Sequence, residues 1–311
     1  IIGGPNQGWG SGRTLASFAA VAILAGAFVA WERRMDEPML DLSLFKNLRF
    51  TAASVSVAIS FFSLSGFIFL FTQYAQFIKG WGALSTGVRL LPVASFVAIS
   101  SIVGTKLAIR LGTKLVVAGG LLLMAGFYLW VSTAQATTGY VTIAAQMVVI
   151  GTGMGLTSAP ATEAIMGVVP KAKAGIGSAV NDATRLLGGT LGVAVIGSVY
   201  ASLYASRLTA ALPSALPAAV ARTAHASVGA ALTAAGKLAG LGHPALAAAV
   251  HNAASSAFFH GFHAADFVSA GVAAAGALMA LALLPAQPTV NVEETSDPQA
   301  TNLPAFAPVH G

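Results

Sequence analysis

Long apolar runs separated by short polar connections dominate the chain. A helix needs about 20 predominantly apolar residues to cross the hydrocarbon core of a bilayer, where its backbone groups find partners only in one another. Seven stretches reach that length: Thr14 to Trp31, Thr51 to Ile78, Val88 to Ile109, Leu115 to Thr133, Val141 to Val169, Gly177 to Leu203 and His263 to Pro285. The second, fifth and sixth are long enough to tilt or protrude. The pattern predicts an all-α polytopic membrane protein with an outer loop over 1–13, six transmembrane helices with short connections over 14–203, a long outer connection over 204–262 and a last transmembrane helix over 263–285. The long connection is Ala-rich, is punctuated by Pro213, Pro217 and Pro244, and is expected to hold short surface helices. Residues 286–311 carry Pro288, Pro298, Pro304 and Pro308 with Glu293, Glu294 and Asp297, a composition expected to form a disordered cytoplasmic tail.

Composition turns this pattern into a bilayer argument. Charged residues make up 8% of the chain and hydrophobic residues 56%, whereas a water-soluble domain carries roughly 25% charged residues on its exterior. The net charge of +6 does not point to nucleic acid, because the basic residues are scattered between apolar runs and form no patch. They sort by side of the membrane instead. With residues 1–13 outside, nine basic residues fall on inner connections (Arg33, Arg34, Lys46, Arg49, Lys106, Arg110, Lys114, Lys171, Lys173) and five on outer ones (Arg13, Lys79, Arg207, Arg222, Lys237). That excess favours an outer N-terminus and a cytoplasmic C-terminus, and the inner membrane is the expected location. Trp9, Trp31, Trp81 and Trp130 fall near span ends, as interfacial anchors do. The absence of cysteine removes disulfides and thiolate chemistry. The chain opens on Ile1 with a Gly-rich polar segment and no signal-peptide pattern, so it reads as part of a longer protein.

Ionisable residues within spans are costly and are therefore the first candidates for function. In the sixth span Ser178, Asp182, Arg185, Gly189 and Gly192 recur at helical spacing, and Asp182 and Arg185 form an i, i+3 pair beside Asn181. Such a face either lines a polar cavity or is a structural ion pair near the cytoplasmic end, with Gly188 and Gly192 as a small-residue contact. Glu163 follows a Gly-x-Gly-x-Gly run (Gly151, Gly153, Gly155) and Pro160. It is expected either to be desolvated and to carry a proton, or to sit hydrated at the cytoplasmic mouth. The glycine run lacks Rossmann spacing and a P-loop lysine, so its expected role is helix packing or kinking. Arg89 is placed to snorkel to the interface, and Gln73 and Gln76 are candidate substrate-facing groups. His260, His263 and Asp266 have helical spacing, but no complete metal-ligand set is expected, and no cofactor either.

The run from Trp31 to Arg34, followed by Glu37-Pro38-Met39-Leu40-Asp41-Leu42-Ser43-Leu44-Phe45-Lys46-Asn47-Leu48-Arg49-Phe50, resembles the cytoplasmic linker of the fourteen-span drug/proton antiporters (EmrB/QacA type) of the major facilitator superfamily. Gln73-Tyr74-x-Gln76 with Gly80, Gly87 to Pro92, Ala159-Pro160-Ala161-Thr162 and Asn181-x-x-x-Arg185-x-x-Gly188-Gly189-x-x-Gly192 resemble the family's ninth, tenth, twelfth and thirteenth spans. The family's loop motif is met in Gly104, Arg110, Gly112 and Lys114, with Ile109 where an Asp is expected.

The resemblance implies a partial major facilitator fold, the C-terminal half of a transporter, that exports hydrophobic or cationic small molecules against a proton gradient by alternating access. Its implied partners are the bilayer, the N-terminal half, the substrate and protons. Glu163, Asp182, Arg185 and Asn181 are the proton-coupling or buried polar candidates. A membrane scaffold or receptor that binds through residues 204–262 is the alternative. A membrane enzyme is disfavoured, since no nucleophile, base or metal constellation is present in the sequence.

Overall fold

A computed structural model describes residues 10–35, 42–170, 173–213 and 216–285. The expected disordered tail therefore lies outside the described residues, as do most of the outer loop and part of the Trp31-to-Phe50 linker. Ten α-helices are described: α1 (Gly12–Glu32), α2 (Leu48–Gln73), α3 (Ala83–Arg89), α4 (Leu91–Leu111), α5 (Thr113–Val131), α6 (Tyr140–Met166), α7 (Ala174–Ala211), α8 (Ala218–Ala226), α9 (Val228–Gly240) and α10 (Pro244–Leu283). A 3-10 turn, Leu42–Lys46, precedes α2 and a π-helical turn, Tyr74–Ile78, extends it. No strand occurs among the described residues. Among the described residues seven helical segments are long and apolar enough to span a bilayer, and the protein is a multi-pass membrane protein.

Local chemistry sets the helix ends. Asn47 caps α2, its Oδ1 accepting from the amides of Arg49 at 2.9 Å and Phe50 at 3.4 Å. Ser11 caps α1 in the same way through the amide of Thr14. Gly112, with φ of +89°, joins α4 directly to α5, a conformation that suits glycine because it has no Cβ.

The last stretch differs from the expected boundaries. α7 continues to Ala211 and α10 begins at Pro244, so the expected long connection is largely helical and supplies the first turns of the last spanning helix. Hydropathy locates the bilayer, but Ala-rich sequence continues a helix beyond it. The 40 residues of α10 extend about 60 Å, roughly twice the hydrocarbon thickness.

Six of the spanning helices form a bundle, and α1 stands apart with nearly all of its residues exposed. Within the bundle α2 packs on α7, α4 on α6, α5 on α6 and α10, and α7 on α10, while α9 joins α8 to α10. Gly112 marks one end of the bundle, and α8 and α9 mark the other. Lipid is as apolar as any core, so helix association there depends on close packing and shape. The glycine run provides it. A Cβ at Gly151 would lie 2.6 Å from the Val93 carbonyl of α4, one at Gly155 would meet Ser100 of α4, and one at Gly153 would lie 2.7 Å from the Gly120 carbonyl of α5. One helix thus seats two neighbours on alternate small positions.

Aromatic side chains fill the half nearer α8 and α9. Phe258 of α10 packs against Tyr74, Tyr200, Phe259 and Phe262. The connections at this end are tied by Tyr74 donating to the Gln135 carbonyl at 2.8 Å and by Lys79 Nζ donating to the Ala136 and Thr138 carbonyls. Partial burial lowers the pKa of the Lys79 ammonium.

Arg89 does more than snorkel. Its guanidinium lies 4.4 Å from the Trp81 ring and 5.6 Å from Tyr140, and the two rings meet edge to face at 6.0 Å. Trp81→Ala is expected to destabilise the detergent-solubilised protein by about 1 kcal/mol, the scale of one cation–π contact. A thermal unfolding midpoint equal to that of the wild type would show that the stack contributes nothing.

Candidate functional site

Three polar regions interrupt the apolar bundle. The first joins α6 and α7. Gly188 and Gly192 press against the backbone of Ala58 and Phe62, which draws α7 onto α2. Arg185, one turn before Gly188, is thereby held between the two neighbours: Nη2 donates to Thr162 Oγ1 at 3.2 Å, and the guanidinium lies 5.3 Å from the Phe61 ring. Thr162 Oγ1 in turn donates to Asn181 Oδ1 at 3.4 Å, and Asn181 is buried. Arg185 Nε is buried and has no hydrogen-bond partner, so the guanidinium keeps a donor that a ligand or a moved helix can use.

Asn181 and Arg185 are thus brought together, with Thr162 as the bridge, but Asp182 and Glu163 are not. Both carboxylates are exposed on this bundle, and no ion pair joins Asp182 to Arg185 among the described residues. The i, i+3 spacing sets the two side chains on neighbouring lines of α7, and only the Arg185 line faces α6. Of the two alternatives for Glu163, desolvated or hydrated, the described residues leave its side chain exposed.

The second region is a cavity of about 260 Å³ at the α8–α9 end, between α2 and α7. Phe69, Gln73, Ser198, Tyr200, Tyr204 and His225 are among its lining residues. Tyr204 donates to the Ala224 carbonyl at 3.1 Å, which ties the cavity's roof to α7. The buried Tyr200 hydroxyl has no hydrogen-bond partner. Apolar and aromatic walls with a few polar groups are the usual composition of a small-molecule site, and this volume admits a ligand at the small end of the range. Gln73 lines the cavity, while Gln76 is half-buried in the π-helical turn.

The third region escaped the sequence reading, which met Asp266 only as a possible metal ligand with His260 and His263. Those three are not gathered into one ligand set: His260 is exposed, His263 Nε2 lies 3.1 Å from the Ala134 carbonyl, and Asp266 is 1% exposed. Asp266 faces the junction of α10, α5 and α2, beside Tyr128 and Ser269. Tyr128 is fully buried and donates to the Ser63 carbonyl of α2. The signal was present, since Asp266 is the lone charged residue in the apolar run 238–292. Placing the span's start at His263 left Asp266 at its edge.

The loop-motif residues separate into packing and turn roles. A Cβ at Gly104 would lie 3.1 Å from Leu156 Cα of α6, so this glycine serves the α4–α6 contact, and Gly112 makes the turn. Arg110 and Ile109 are exposed and Lys114 is half-buried.

Comparison with known proteins places this geometry. The family model of the Major Facilitator Superfamily matches residues 7–193. The multidrug resistance protein Stp of Mycobacterium tuberculosis is 33% identical over 200 residues, which cover 64% of this chain and 37% of that protein. The multidrug efflux pump LfrA of Mycolicibacterium smegmatis is 32% identical over 182 residues, covering 58% of this chain and 36% of the pump. The tetracenomycin C resistance and export protein of Streptomyces glaucescens is 29% identical over 197 residues, covering 63% and 37%. The matches span well under half the length of these relatives.

Proposed function

The chain belongs to the major facilitator superfamily, and from that premise we propose that it works as the C-terminal half of a fourteen-span drug/proton antiporter in the inner membrane, exporting hydrophobic or cationic small molecules. Its partners in this reading are the N-terminal half, the substrate, protons and the surrounding lipid. The observation that carries the reading is the cavity between α2 and α7, where Gln73 and aromatic rings line a space open to a small apolar molecule. The relatives named for multidrug efflux and export support it.

Alternating access needs elements with two arrangements. The α2–α7 pair suits this, since glycine contacts let backbones slide past one another and Arg185 can exchange Thr162 for another partner. Glu163 and Asp182 lie on exposed surface, where protons or the N-terminal half can reach them, and they retain a proposed part in proton coupling.

The test is proton-gradient-driven efflux of a hydrophobic cation from vesicles containing the full-length transporter. Gln73→Ala and Arg185→Gln are each expected to slow efflux about tenfold, the ratio set by about 1.4 kcal/mol. Unchanged coupling in both Glu163→Gln and Asp182→Asn would remove those carboxylates from the mechanism. No gradient-driven flux in the wild type would overturn the reading. In that event the open hollow of about 430 Å³ between α8 and α9 favours a scaffold or receptor that binds a partner through residues 204–262.

A further inference from the structure

Asp266 is held under conditions that an ionised carboxylate does not tolerate. It is 1% exposed, and its Oδ2 has no hydrogen-bond partner. No basic side chain forms an ion pair with it among the described residues. Tyr128 lies nearby on α5, and both Ser269 and Tyr128 spend their hydroxyl hydrogens on backbone carbonyls, of Ala265 and Ser63. With neither a donor nor a cation on Oδ2, this degree of burial suits a neutral carboxylic acid and not a carboxylate.

We propose that Asp266 is a proton-binding site built into the junction of α10, α5 and α2, occupied in the packed bundle and emptied when that junction opens to water. The inference rests on the transport reading and adds to it a residue in the last helix, well beyond residue 193, where the family match ends. The chemistry needs no reagent but water. When the junction is open, a carboxylate oxygen takes a proton from hydronium and one O–H bond forms. Closure buries the neutral acid. Reopening on the other side returns the proton to water and leaves the carboxylate hydrated. Burying an unpaired charge is costly, so closure over the empty site is strongly disfavoured. Proton occupancy and helix packing are thereby linked.

Other titratable groups on the packed elements do not take over this role. Tyr74 of the π-helical turn and Tyr200 of α7 stand against Phe258, two helical turns from Asp266, and Tyr204 stacks on Tyr200. On α10 itself His263 is engaged with Ala134 and His260 is exposed. On α9, Lys237 lines the hollow shared with α8.

Infrared spectroscopy of the chain in lipid vesicles tests the site directly. The wild type is expected to show the carbonyl stretch of a buried carboxylic acid at neutral pH. The band should bleach reversibly at alkaline pH, be absent in Asp266→Asn and reappear displaced in Asp266→Glu. Asparagine mimics the neutral acid, so Asp266→Asn is expected to unfold with the wild type; should it misfold, the displaced band of Asp266→Glu still assigns the signal. A band retained in Asp266→Asn, no band at neutral pH, or a band that never bleaches each overturns the proposal.

The transport arm separates the two readings. With Asp266→Asn in the full-length transporter, loss of gradient-driven efflux supports the site. Unchanged coupling overturns it and leaves the efflux reading intact. A wild type without efflux but with a titrating band overturns the efflux reading and leaves the site.

Discussion

Phe258→Ala is expected to destabilise the protein by about 3 kcal/mol, the scale of emptying a large aromatic site in a packed core. Phe258 is 0% exposed and touches rings from three elements: Tyr74 at 6.4 Å, Tyr200 at 5.5 Å and its neighbours Phe259 and Phe262, both at 5.4 Å. Two consequences follow from removing it. The lining atoms lose their dispersion partners, and α10 loses the contact that holds its first half against α2 and α7. In lipid the transfer term is small, so the cavity term dominates, and Phe258→Leu should recover most of the loss by refilling the space. Thermal unfolding in detergent reads both variants. Equal midpoints for wild type and Phe258→Ala would mean that the aromatic cluster is not a stability element.

Gly192→Ala is the second large effect, although it adds a single methyl group. Its Cβ would lie 2.8 Å from the carbonyl carbon of Phe62 and 2.9 Å from Phe62 Cα. The obstruction is backbone, which cannot rotate away as a side chain can, so α7 and α2 must separate. Overpacking costs about 1–3 kcal/mol, and a rigid neighbour puts this case near 3 kcal/mol. Separation also moves Arg185 from Phe61 and Thr162, so transport should fall with stability. Gly271→Ala is the control: nothing lies within 4 Å of its added Cβ, and the gain in helix propensity should be neutral or stabilising by at most about 1 kcal/mol. If both substitutions destabilise equally, the loss is generic to helical glycine and the α2–α7 contact is not its cause.

The particular residues show where sequence reading reached its limit. The small face of α7 was legible in Gly188 and Gly192, because only residues of that size let two backbones touch, and the glycine run of α6 was legible for the same reason. Arg185 and Asn181 were legible as polar groups in an apolar run. Asp182 and Glu163 looked equally promising and came out exposed, while Asp266 looked incidental and came out buried. A helix that meets lipid outside and apolar side chains inside has no polar face to reveal its orientation, so a charged residue's sequence neighbours do not tell whether it points into the bundle.

Local quantities were therefore settled by sequence alone: a bilayer as the solvent, about seven helices long enough to cross it, and small residues where helices approach closely. Each depends on a residue and its near neighbours in the chain. Tertiary structure decided what depends on distant parts: the separate place of α1, the joining of α8 and α9 to α10, the bridge from Arg185 through Thr162 to Asn181, and the burial of Asp266 beside Tyr128. When solvent and core are equally apolar, hydrophobicity commits a helix to the membrane without choosing its face, and only the fit of one helix on another makes that choice.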